Sequence, residues 1–221
     1  HVRTVEQEST AQAFITTDLD DNQITAFHPG AMSHSHLNQV PAAAGITLGG
    51  VAPDGRDGML QHAAQFAEAG IPLLFDPGQG LPMFGGQELL DFIAKSAWIA
   101  VNDYEAQMLA ERTSLSVRDI AQRVRALIVT RGAEGSVILA DGREIRVPAV
   151  RPDAIVDPTG CGDAYRAGLI YGLQNGLDWE TTGRMASLMG SIKIAHAGTQ
   201  HHRFTRDEFD TRFRAAFGRA P

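Results

Sequence analysis

The 221 residues, 43% of them hydrophobic, suffice for one full core, and the formal net charge of −7 disfavours wholesale binding to nucleic acid or an anionic membrane. A single cysteine, Cys161, excludes an internal disulfide framework, and no apolar run approaches the roughly 20 residues that span a bilayer. These bounds favour a cytoplasmic protein whose partner is a small molecule.

The chain opens at His1 without a methionine or a signal-like apolar segment, which reads as a cut or unobserved beginning. Residues 11–17 and 24–28 step by two on either side of the polar run Asp20-Asp21-Asn22, the pattern of an antiparallel hairpin with a polar turn. Short apolar runs at 46–48, 73–75, 98–101 and 127–129 then read as parallel strands covered on both faces. Helical spacing at 58–69, 103–112 and 116–125 alternates with them. Two longer helices are expected at 162–174 and, from Asp178 as N-cap, to about Ala197. In the first, Ala164, Gly168 and Gly172 form a ridge of small residues that permits close approach. Met185, Leu188 and Met189 in the second have core spacing, and an amphipathic helix at 207–217 ends the chain. The fold class is therefore α/β, with a mostly parallel sheet flanked by helices.

In such sheets ligands bind beyond the carboxyl ends of the strands, where Asp76, Asn102 and Thr130 follow their runs. The strongest local signal is Asp157-Pro158-Thr159-Gly160-Cys161-Gly162-Asp163, which follows apolar residues 154–156 and opens a helix. Gly160 and Gly162 permit backbone conformations in which successive N–H groups converge on an anion at the positive helix end. Asp163, on the first helical turn, has the chemistry to accept a proton from a hydroxyl attacking phosphorus. On local physics alone, a glycine-rich turn with a capping aspartate remains open as the alternative.

That segment resembles the D-x-T-G-x-G-D signature of the ribokinase/PfkB carbohydrate and nucleoside kinases, with Ala167-Gly168 continuing it and Pro158 standing where threonine is more usual. The resemblance implies catalysis by Asp163 with an anion hole at Gly160, Cys161 and Gly162. Asn102-Asp103-Tyr104-Glu105 resembles the family's N-x-x-E motif, which implies that Asn102 and Glu105 help hold Mg²⁺ through water. The segment 129–135, with Thr130, Gly132 and Gly135, resembles the ATP-contacting turn, and 195–199, with Gly198, the loop walling the adenine pocket. Asp157 and Thr159 sit where relatives place a monovalent cation, so K⁺ joins ATP and Mg²⁺ among the implied cofactors.

Phe75-Asp76-Pro77-Gly78-Gln79-Gly80-Leu81-Pro82 looks more like bacterial adenosine-kinase-like members than ribokinase or fructokinase. The resemblance implies a ribokinase-like core at 33–221, the later strands of a β lid at 1–32, and an acceptor-binding first βαβ region lying before His1. The implied reaction moves the γ-phosphoryl of ATP to a primary hydroxyl of a ribose-bearing molecule, adenosine first; a homodimer is compatible with it. A free-sugar kinase is the rival within the class, and a catalytically silent nucleotide-binding module the rival outside it. The histidines at 28, 34 and 36 and the pair His201-His202 lack the accompanying carboxylates or thiolates of a transition-metal site and read as loop residues. Cys161, though at a helix N-terminus, reads as packing.

Overall fold

A computed structural model of the chain describes residues 2–17, 23–41 and 45–221. Contacts cluster into two units, His1–Ala97 and Trp98–Pro221.

In the first unit, β1 (Gln12–Thr17) and β2 (Gln23–His28) pair antiparallel with Gln12 opposite His28. The hairpin expected from the alternation is present; its polar turn at 20–22 lies outside the described residues. Phe14, Ile15, Ile24 and Phe27 are all exposed on this ribbon. The next strand is displaced from its expected place. Residues 46–48 are irregular, and β3 is Gly49–Val51, parallel to β4 (Leu73–Phe75). Gly49 explains the shift, because a Cβ there would stand 2.6 Å from the Phe66 ring of α1 (Arg56–Glu68). Close helix-on-strand packing demands glycine where an apolar pattern demands a side chain, so the strand is hidden from the pattern. Phe75 stacks on Phe92 of α2 (Gly86–Lys95), and Phe84 meets Phe92 edge-on, which closes the core of this unit.

The second unit carries a mixed set of strands. β5 (Trp98–Asn102) runs parallel to β6 (Ala126–Thr130), while β7 (Ser136–Ala140) and β8 (Arg143–Val147) continue antiparallel. The β7–β8 hairpin adds to the pattern expected from the sequence; its signal is Asp141-Gly142, both at positive φ, as a two-residue turn requires. α3 (Asp103–Thr113) follows β5. α4 shrinks from the expected 116–125 to Val117–Ala121, with Ser116 as its cap.

The long pair α5 (Cys161–Gln174) and α6 (Trp179–Ile194) packs as the small-residue ridge predicts. A Cβ at Gly168 would stand 2.5 Å from Ala186 Cα, and one at Gly172 would stand 2.4 Å from Thr182 Oγ1. Asp178 caps α6 by accepting the Thr181 N–H at 2.9 Å. Met185, Leu188 and Ile192 meet Phe209 and Phe213 of α7 (Arg206–Phe217) in one apolar cluster, with Met189 packed at its margin. α6 ends at Ile194 rather than Ala197, because its terminal carbonyl takes the N–H groups of Val156 and Asp157 at 2.9 and 3.2 Å. Among the described residues no helix is long and apolar enough to cross a membrane.

Candidate active site

The turn that opens α5 is set by Gly160. Pro158 O accepts the Cys161 N–H at 3.1 Å across a turn whose second central residue, Gly160, has φ 84 and ψ 6, the type II geometry that favours glycine. A Cβ at Gly160 would also stand 3.3 Å from Thr199 Cβ. The first internal bond of α5 runs from Ala164 N–H to Gly160 O at 3.0 Å, and no side chain caps the helix. Among the described residues, the N–H groups of Gly162 and Asp163 therefore have no protein acceptor, and both lie at the positive end of a 14-residue helix. The sequence suggested a cradle over Gly160, Cys161 and Gly162. In the structure the Cys161 amide is bonded within the turn, and the amides left without a protein acceptor among the described residues are those of Gly162 and Asp163. Burial pushes the Cys161 thiol up from its ordinary pKa, which agrees with packing rather than nucleophilic chemistry.

Asp163 stands on the first turn with its side chain 71% exposed, so a ligand can reach it. Its carboxylate pairs with the guanidinium of Arg166, one turn further along. Arg166 is not among the residues expected from the sequence; its i, i+3 spacing from the acidic residue at the helix start is the signal for this pair.

Asp157 is the hub that joins this turn to the segment after α6. One carboxylate oxygen accepts the Thr159 N–H at 2.9 Å and the other the Gly198 N–H at 2.8 Å. The Thr159 bonds first, then Gly198 and the nearby Lys193, hold the Asp157 carboxyl below the usual carboxylate range. Lys193 is fully buried: its ammonium donates to Asp157 O at 2.6 Å and His196 O at 3.2 Å and lies 3.9 Å from the Asp157 carboxylate. Of the residues that the resemblance assigned to a monovalent cation, Asp157 thus already faces a protein cation, and its oxygens do not fit a separate ion. A lysine between Ile192 and Ile194, on a helix otherwise read as core, was the signal for it.

The second group of expected residues lies at the ends of β5 and β6. Asn102 and Thr130 are register partners, and Thr130 Oγ1 donates to Val101 O at 3.4 Å. Asn102 Oδ1 accepts the Glu105 N–H at 2.7 Å while Glu105 Oε2 accepts the Asn102 N–H at 2.9 Å, a closed capping box at the start of α3. Among the described residues no three His, Cys, Asp or Glu side chains cluster as a direct metal site. The exposed amide and half-buried carboxylate are hard oxygen donors, and they fit Mg²⁺ held through its own waters. Gly132 and Gly135 both have positive φ; Gly132 has open space around it, whereas a Cβ on Gly135 would also stand 2.1 Å from Val147 O. Ser136, directly after it, shares a 2.6 Å hydrogen bond with Tyr165 of α5. Burial pushes the Tyr165 phenol up to about 12. No hydrogen bond among the described residues joins the Asn102 and Glu105 cap directly to the Gly160 turn. His34 meets Glu8 at 3.6 Å and builds no metal cluster.

Residues 1–205 match the model of the pfkB family carbohydrate kinases. A nucleoside kinase from Methanocaldococcus jannaschii is 34% identical over 204 residues, which cover 92% of this chain and 67% of that protein. The structure of Burkholderia thailandensis nucleoside kinase in complex with inosine is 54% identical, with a TM-score of 0.94 over 97% of this chain and 71% of the other. The same enzyme in complex with ADP-inosine gives 0.93, covering 97% of this chain and 67% of the other. The fold is ribokinase-like, the activity is that of a phosphotransferase acting on a hydroxyl group, and the chain belongs to the pfkB family of carbohydrate kinases.

Proposed function

We propose that this protein is an ATP-dependent nucleoside kinase that phosphorylates the primary hydroxyl of a ribose, with adenosine as the leading acceptor. The observation that carries the reading is the open start of α5, where two unpaired N–H groups and the Asp163 carboxylate occupy consecutive positions. In the reaction Asp163 accepts the proton of the acceptor hydroxyl as its oxygen bonds to the γ-phosphorus. The bond from that phosphorus to the bridging oxygen breaks, and ADP leaves. The Gly162 and Asp163 amides face the charge on the transferring group, in an arrangement fixed beforehand by the Gly160 turn. Arg166 orients the carboxylate. Asn102 and Glu105 would hold Mg²⁺ through its waters, and the ion would supply charge neutralisation across the phosphates.

Thr130 and Gly132, with open space at the latter, are proposed to contact the nucleotide, and the 195–199 loop with Gly198 to border the adenine. Residues 1–32 are proposed to contribute lid strands and 33–221 the core. The solved complexes with inosine and ADP-inosine favour a nucleoside over a free sugar. Adenosine rather than inosine rests on the Asp76 to Pro82 segment. There Asp76 is buried at the end of β4, ahead of the 3₁₀ turn Gly78–Met83. A panel of adenosine, inosine, ribose and fructose, read by ADP production, tests both levels. The highest kcat/KM is expected for adenosine; a preference for inosine corrects the base, and a preference for a free sugar removes the nucleoside assignment.

A further inference from the structure

We infer that Lys193 is a built-in monovalent cation of the phosphoryl-transfer site, so that turnover by this protein does not depend on potassium. The inference rests on the kinase reading above but concerns a residue with no part in the chemical step. Lys193 lies in the last turn of α6 with its side chain wholly removed from solvent. A lysine is seldom buried unless its charge is answered. Here it is answered by oxygens of two segments that are 39 residues apart in sequence between Asp157 and His196: the Asp157 carbonyl at 2.6 Å, the His196 carbonyl at 3.2 Å and the Asp157 carboxylate at 3.9 Å.

A cluster of carbonyl oxygens beside one carboxylate is the environment a potassium or ammonium ion seeks, and an alkylammonium carries the same charge at comparable size. Delivered on a stem packed in α6, that charge needs no binding step. What it fixes is the position of the turn. Asp157 leads the Pro158 to Cys161 turn, and its carboxylate holds the amides of Thr159 and Gly198. Thr199, next to Gly198, packs against Gly160. The ammonium therefore ties the anion-binding turn to the segment that follows α6. Lys193 is a positioning residue, acting through Asp157 on the Gly162 and Asp163 amides.

Lys193→Ala leaves the same oxygens facing a space matched to a small monovalent cation, and this supplies the test. Rate with adenosine and magnesium ATP, and the thermal midpoint without nucleotide, are measured in potassium chloride, ammonium chloride and tetramethylammonium chloride at equal ionic strength. For the unaltered protein both readouts are expected to be the same in the three salts, with rates within about twofold. Lys193→Ala is expected to lose about tenfold or more in kcat in tetramethylammonium, with KM for adenosine little changed, and to regain several-fold in potassium or ammonium. Its melting temperature should rise in those two salts, as for any ligand that binds only the folded state.

Potassium stimulation of the unaltered protein by more than about fivefold overturns the inference. So does a folded Lys193→Ala whose rate and melting ignore potassium, because a lysine that merely fills the core would behave that way. If the alanine variant does not fold, the salt response of the unaltered protein decides alone. Failure to phosphorylate any nucleoside strikes the functional reading, whereas the melting comparison still reports on the cation.

Discussion

Two helix starts in the second unit each carry an acidic residue on the first turn and end in opposite states. At α3, Asn102 and Glu105 answer each other's backbone N–H groups and close the helix end. At α5, the capping position is glycine, the acidic residue on the first turn pairs with Arg166 instead, and the next amides are left open. α4, α6 and α7 resemble α3, with Ser116, Asp178 and Thr205 each accepting a backbone N–H. The difference shows that an acidic residue near a helix start does not by itself mark an anion site. What separates the two cases is where the first amides find acceptors: Asn102 supplies one at α3, and Gly160, without a side chain, supplies none at α5.

The most severe test of the open site is Asp163→Asn. Turnover should fall by about a hundredfold to ten-thousandfold while ATP affinity, measured by titration, stays within a few-fold, because a general base acts in the chemical step. A variant keeping more than about a tenth of the rate would mean that the carboxylate is not the base. Gly160→Ala probes the turn itself. Its positive φ and the nearness of Thr199 predict a loss of about 1–2 kcal/mol in denaturant unfolding, accompanied by reduced kcat as the amides below it shift.

The closed site is sharpened by separating cap from metal. Glutamine serves in a capping box as well as glutamate does, so Glu105→Gln should leave stability within a few tenths of a kcal/mol. If Glu105 also organises Mg²⁺, the same variant should need several-fold more Mg²⁺ for half-maximal rate, since a neutral amide holds hydrated Mg²⁺ less well. An unchanged requirement would reduce Glu105 to a cap. Asn102→Ala, by contrast, should cost about 1 kcal/mol through the lost cap whatever happens to Mg²⁺.

How much of this was legible depended on whether a residue's task shows in its own side chain. β4, β5 and β6 are buried on both faces, and their apolar runs located them within a residue or two. β3 was missed by three residues because Gly49 serves the Phe66 ring, a partner distant in sequence. The Gly160 turn was readable from its glycine, yet the bonding of the Cys161 amide to Pro158 was not, because the central residues Thr159 and Gly160 permit several turn geometries. Lys193 shows the limit most clearly. Its sequence context is that of core helix, and only the folded chain brings the carbonyls of Asp157 and His196 to its ammonium.

The smallest expected effect concerns the bond that connects the two compared regions. Tyr165 lies on α5 two residues beyond Asp163, and its hydroxyl meets Ser136, the register partner of Thr130, which is in turn the partner of Asn102. Tyr165→Phe keeps the ring and leaves one buried serine hydroxyl without this partner, so at neutral pH it should lower stability by about 1 kcal/mol. In alkali the sign reverses. Burial raises the folded-state phenol from 10.0 to about 12, so its contribution is intact below about pH 10 and is lost as pH rises toward about 12, where only the unfolded chain ionises readily. Phenylalanine has no proton to lose. The stability gap between the two proteins should therefore narrow, and then invert, as urea unfolding is repeated from neutral pH to about pH 11. A gap that stays constant with pH would mean that the hydroxyl is not held neutral by burial, and the tie between the open and closed helix starts would have to run through packing of the ring alone.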